Sequence, residues 1–190
     1  MPIYPRTSNQ HAIKCNFSHF INYTQLKLAF IKNRIFIMKS DGLYSLTVLI
    51  WKWRKLMNNT NLPSIDTMNS IPIPILSKIF IISNSSLLYE LDIERKRCIT
   101  LSTTIIPMNN YGYGSGGIFL YFIGGETPHC ERYHTVLMKW QALPDLNTNR
   151  RHCGVVYSVK RYIYAIKGCI EHTVEKLDII NPVLWKLIKF

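Results

Sequence analysis

The chain has 190 residues, 47% of them hydrophobic, and a formal net charge of +12, which suits a single domain with a core of its own. Its five cysteines, Cys15, Cys98, Cys130, Cys153 and Cys169, are odd in number and form no CxxC, which argues against a disulfide framework and for a reducing compartment. The opening MPIYPRTSNQHAIK lacks the apolar core of a secretory signal, Leu43–Trp53 is too short to span a bilayer, and Pro72, Pro74 and Lys78 interrupt Ile71–Ile82, so the expectation is a cytoplasmic protein without a transmembrane segment.

Residues 1–25 read as a polar leader with no strong pattern. From there the chain repeats itself. The runs RIFIM, KIFIIS, FLYFIGG and YIYAIKG align Ile37, Ile82, Ile123 and Ile166. An anchor follows each, at Trp53, Cys98, Trp140 and Trp185, and an aliphatic stands three residues on, at Leu56, Leu101, Leu143 and Ile188. The anchors are 45, 42 and 45 residues apart. Such a period, built from short strands, signals a solenoid, propeller or array.

The first unit turns at Lys32-Asn33 and Ser40-Asp41-Gly42. The second turns at Ser77-Lys78, Asn84-Ser85-Ser86 and Glu94–Arg97. The third is preceded by YGYGSGG (111–117), which lacks the Lys-Ser/Thr of a phosphate loop and reads as a flexible entry loop. Gly116-Gly117 and Gly124-Gly125 supply its turns, and Lys160-Arg161 and Asn181-Pro182 those of the fourth unit. Each unit thus holds about four strands with an apolar face that only a neighbouring sheet can bury.

These residues resemble kelch repeats. FLYFIGG with Trp140 and Leu143 is similar to the family's strand ending in a glycine pair and its closing Trp-x-x-Leu. RRHCGVVY, YIYAIKG, VEKLD and Trp185 carry the likeness in the fourth unit, and KIFIIS, LYELD and Cys98 in the second. The resemblance covers residues 26–190 and implies an all-β propeller with blades over about 26–57, 71–102, 111–143 and 150–190. Kelch wheels mostly have six blades, so four imply a short wheel, a part of a longer one, or one completed by a partner through self-association. Only Gly124-Gly125 keeps the glycine pair; Met38-Lys39, Ser83-Asn84 and Lys167-Gly168 replace it elsewhere, and Cys98 replaces one tryptophan. Trp53, Cys98, Trp140 and Trp185 are expected to pack between blades.

The resemblance implies a scaffold that binds a protein through loops at one rim. The candidate contacts are Ser40, Asp41, Asn84, Ser85, Glu126, His129, Arg132, Glu171 and His172. It further implies a cytoskeletal (actin) or ubiquitin-ligase partner; no BTB-like or F-box-like segment is recognised, so an adaptor role would need another chain. No catalytic residue, cofactor or metal site is expected. His129-Cys130 and His152-Cys153, with His134 and Cys169, lack the ligand spacing of a structural zinc site. Some kelch-type propellers resemble copper oxidases, for which Tyr111, Tyr113, His129 and His134 are candidates by residue type alone. The alternative function comes from charge. Residues 1–60 hold nine Lys and Arg against Asp41, a surface for nucleic acid or anionic membrane, with a protein partner expected ahead of nucleic acid.

Overall fold

The computed structural model describes residues 28–31, 33–39, 42–58, 71–75, 78–83, 87–93, 95–105, 109–158, 161–169 and 173–188. Among them, sixteen strands form four antiparallel four-stranded sheets, each in sequence order. The first holds β1 (Leu28–Ile31), β2 (Arg34–Lys39), β3 (Gly42–Thr47) and β4 (Lys52–Asn58). The second holds β5 (Ile71–Ile75), β6 (Lys78–Ile82), β7 (Leu87–Asp92) and β8 (Arg97–Thr103). The third holds β9 (Gly112–Gly116), β10 (Phe119–Ile123), β11 (Cys130–His134) and β12 (Lys139–Leu143). The fourth holds β13 (Gly154–Ser158), β14 (Tyr162–Ile166), β15 (Val174–Asp178) and β16 (Lys186–Ile188). Among the described residues no helix is long and apolar enough to cross a membrane.

The first strands of the sheets lie side by side, β1 with β5, β5 with β9 and β9 with β13. This is a β-propeller, with each sheet a blade radiating from a shared axis. Among the described residues β13 and β1 make no comparable approach, so these four blades form an open arc. Because each blade is a meander, its first and third turns lie at one end of the wheel, the hairpin end. Its middle turn and the link to the next blade lie at the other, the connector end.

Blade stacking explains the unbroken apolar runs. Successive side chains of a strand point to opposite faces. In β6, Ile79 and Ile81 enter a core shared with Phe36, Leu43 and Met57 of the first blade. Phe80 and Ile82 enter a second core shared with Leu120 and Phe122 of the third. In β10 the other face, Tyr121 and Ile123, meets Ile163, Ala165 and Leu177 of the fourth blade. Strand β14 has one covered face. Ile163 and Ala165 are buried, whereas Tyr162, Tyr164 and Ile166 are half-buried.

The anchors grip both neighbours. Trp53, Cys98 and Trp140 pair across strands with Leu46, Leu91 and Tyr133. Cys98, Trp140 and Trp185 each pack into the core shared with the preceding blade. The Trp140 indole donates to Ser102 Oγ (2.8 Å) and the Trp185 indole to Pro144 O (2.9 Å), both in or beside the preceding blade's outer strand. Leu56, Leu101 and Leu143, three residues on, pack toward the following blade. Trp-x-x-Leu is therefore a two-sided wedge.

Two sequence readings are corrected. The YGYGSGG segment is no flexible entry loop, because Gly112–Gly116 is β9, an inner strand. A Cβ on Gly112 would lie 2.4 Å from Cys153 O, one on Gly114 2.9 Å from Val155 Cγ1, and one on Gly116 2.2 Å from the Tyr157 ring. Three alternate glycines let β13 come within a distance that side chains forbid, a use of strand glycine that local propensity conceals. The second correction concerns Ile37. Leu46 pairs with Ile35, Leu91 with Ile79, Tyr133 with Leu120 and Leu177 with Ile163, so Met38, not Ile37, corresponds to Ile82, Ile123 and Ile166. RIFIM is apolar at successive positions, and a one-residue slip in such a run leaves no trace in the pattern although it exchanges faces.

Candidate binding faces

The connector end between the third and fourth blades rests on a buried ion pair. Arg150 Nε meets Glu175 Oε1 at 2.8 Å, and both side chains are fully buried. Arg150 also donates to Lys167 O (2.9 Å), Thr173 O (3.0 Å), Thr173 Oγ1 (2.8 Å) and Cys169 Sγ (3.2 Å). Glu175 accepts from Asn147 N and Nδ2 (2.7 Å each) and Thr148 Oγ1 (3.1 Å). Burial pushes the Glu175 carboxyl up, but the Asn147 and Arg150 hydrogen bonds outweigh it and hold the group below the ordinary carboxylate range. A charge pair so fully satisfied is a structural lock: it ties the 144–153 connector to Lys167, Cys169 and Thr173 of the fourth blade.

Above this base lies an exposed polar group. The Glu126 carboxylate pairs with Arg151 and accepts from the Asn110 amide. Its backbone accepts from Asn149 Nδ2 (3.0 Å) and donates to Asn109 O (3.1 Å). His129 Nδ1 lies 2.9 Å from Asp145 Oδ1. Glu126 and His129 thus share the β10–β11 turn and face the connectors on either side of the third blade. Arg132 stands apart from them. It lies within β11, its guanidinium 4.4 Å over the Phe119 ring, its Nε donating to Gln141 Oε1 (2.8 Å) and its Nη1 reaching Ile179 O of the fourth blade (3.5 Å). Ser40, Asp41, Asn84, Ser85, Glu171 and His172 lie outside the described residues.

Sequence reasoning missed Arg150, Arg151, Asp145 and Glu175. One signal was there to find. Glu131 and Glu175 occupy the same repeat position, opposite Phe122 and Ala165. Both are buried, and each accepts a backbone N–H from the connector before its blade, Ile105 at 3.0 Å and Asn147 at 2.7 Å.

The residues weighed for metal chemistry are dispersed. His129 and His134 bracket β11 and so lie at opposite ends of the wheel. His134 Nδ1 accepts from Leu137 N (3.1 Å) and caps the hairpin. Cys130 and Cys153 are buried, their thiols donating to Pro128 O and Ile123 O. Burial pushes the Cys130 thiol well up and that of Cys153 to about 11. Tyr111 is edge-on to Phe122. No group of three or more His, Cys, Asp or Glu side chains gathers among the described residues.

No family model matches the chain, and no curated protein matches it by sequence. Solved structures do match it by fold. The YjhT structure is 12% identical with a TM-score of 0.69, over 87% of this chain and 65% of that one. The N-terminal domain of Nup159 is 10% identical with a TM-score of 0.52, over 85% and 47%. A chain of an S. cerevisiae assembly, a Dbp5 variant bound to Nup159, a Gle1 variant, IP6 and ADP, gives 10% and 0.52, over 85% and 46%. The chain therefore spans between about half and two thirds of these neighbours' lengths. At such identity the likeness establishes the propeller fold and nothing finer.

Proposed function

We propose that this chain is a kelch-type protein-interaction module and not an enzyme, with a polar leader over residues 1–25 and the repeat region over 26–190. Its partner meets the connector end through the Glu126–Arg151 group and the His129–Asp145 pair. The single observation that carries this reading is the pairing of that exposed, mixed-charge cluster with the rigid Arg150–Glu175 lock beneath it. A pre-organised polar surface on a stiff base loses little entropy on binding. The kelch resemblance assigns Ser40, Asp41, Asn84, Ser85, Glu171 and His172 to one rim, and we propose that they contribute to the same face. The neighbouring fold drawn from an assembly of Dbp5 with Nup159 supports the view that such wheels serve as docking modules. The kelch resemblance favours a cytoskeletal or ubiquitin-ligase partner in the cytoplasm. The open arc leaves room for further blades from another chain or a second copy.

The test is affinity purification with mass spectrometry, comparing the wild-type chain with Glu126→Arg and Asp145→Arg. Both sites are exposed, so melting should be unchanged while one captured partner is lost. A partner held equally by wild type and variants would move the interface elsewhere. Co-sedimentation with filamentous actin separates the two partner classes.

A further inference from the structure

The hairpin end is built differently from the connector end. Three of its outer hairpins carry apolar tips: Leu49, Ile50 and Trp51 before β4; Val136, Leu137 and Met138 before β12; Ile180, Val183 and Leu184 before β16. Leu49 is 77% exposed, Ile180 72% and Val136 65%. Apart from Ile105, Tyr113, Val156 and Leu187, every exposed large hydrophobic side chain among the described residues lies at this end. The tips are interleaved with cations at a fixed repeat position, because in three blades the residue just before the anchor is basic and exposed: Lys52, Arg97 and Lys139, with Leu184 at that place in the fourth. In the second blade Arg95 and Lys96 replace the apolar tip. Among the described residues, the acids Asp92 and Asp178 at this end are taken up by Arg95, Arg97 and Arg161.

We propose that this end docks flat on an anionic lipid bilayer, the three tips entering the headgroup layer while the ring of Lys and Arg meets lipid phosphates. Apolar side chains flanked by cations are the composition that an anionic interface selects. The shape agrees, since the tips protrude separately from different blades. A fluid interface receives several such points at once, whereas a folded partner would need a matching pocket for each. A second copy of the same face would bring cation against cation. Nucleic acid would meet aliphatic tips that hold its phosphates away from the basic ring and offer only Trp51 for stacking. The proposal does not depend on the connector-end reading.

Flotation of the full chain with phosphatidylcholine vesicles, with and without phosphatidylserine, tests it. The expected result is flotation with the phosphatidylserine vesicles, weakening as salt rises. The pair Leu49→Ser with Ile50→Ser, and the pair Val136→Ser with Leu137→Ser, should each weaken binding at least about tenfold while melting as wild type does. Lys52→Glu with Lys139→Glu should weaken it similarly. Lipid should blue-shift tryptophan emission, and Trp51→Phe should remove most of that shift. The idea is overturned if the wild-type chain does not float, if the tip variants float undiminished, or if light scattering shows wild-type dimers that the tip changes dissolve. It is likewise overturned if single-stranded RNA binds as tightly as the vesicles and the tip variants leave that binding intact.

Discussion

Arg150 and Glu175 offset each other's burial together with the hydrogen bonds around them, and neither can be removed alone without stranding a charge. Arg150→Met or Glu175→Ala should therefore cost about 3–5 kcal/mol, read as a drop in the denaturant midpoint, and the double replacement by apolar residues should recover much of it. The pH dependence has a defined sign. Glu175 is held below the ordinary carboxylate range, so its contribution is complete at neutral pH and is lost as pH falls through the lowered folded value. Urea titrations from neutral to acid pH should show wild-type stability falling there more steeply than that of the double apolar variant. The thiols give a second residue-scale test. With Cys153 at about 11 and Cys130 pushed up further, neither presents a thiolate at neutral pH. A maleimide should label them only as fast as the chain unfolds.

At the level of the strand and hairpin, the close approach of β9 and β13 makes its own demand. Gly114→Ala should cost about 1–3 kcal/mol, because its Cβ would press on Val155 in a packed layer that cannot give freely. Thermal melting of that variant beside Gly154→Ala, where a Cβ meets only atoms at 3.8 Å or beyond, separates crowding from the general effect of losing a glycine. The outer hairpins show the reverse economy. Trp51, Lys96 and Met138 all precede their outer strand with positive φ, at 49°, 52° and 53°. Bulky residues in left-handed backbone cost about 1–2 kcal/mol relative to glycine. Met138→Gly should thus raise the melting temperature while weakening vesicle binding, a trade expected where strain is kept for function. Lys167, with φ of 61°, follows the same backbone path as Gly124 at 65°, so the fourth blade keeps the glycine-pair turn without its first glycine.

Across the whole molecule, three shared cores join each blade to the next, so the arc should unfold as one unit rather than blade by blade. Trp140→Ala removes a wedge between the second and third blades and should cost about 3–5 kcal/mol. Fluorescence and circular dichroism should report that loss at the same midpoint. The outward face of the fourth blade, with Val156, Tyr162 and Tyr164 only partly covered, is the surface an additional blade would use. Light scattering over a concentration series should show self-association that Tyr164→Asp reduces.

The sequence by itself determined the all-β class, the four units and the pairing of Trp with Leu. These follow from a period near 44 residues and from apolar anchors that must be buried in every unit. It also marked Gly124-Gly125, Glu126 and His129 as parts of one turn. Tertiary structure alone decided the rest. The glycines of β9 read as a loop until β13 lies against them, since a close approach between strands leaves no local signature. The face assignment of RIFIM waited on cross-strand register, because a strand apolar on both sides carries no phase. Arg132 looked like a loop residue until its guanidinium was seen over Phe119, and the Arg150–Glu175 lock joins residues whose partnership is set by how two blades meet. Likewise, the basic and apolar hairpin end is scattered along the chain and becomes one surface only when four meanders are stacked with the same end up.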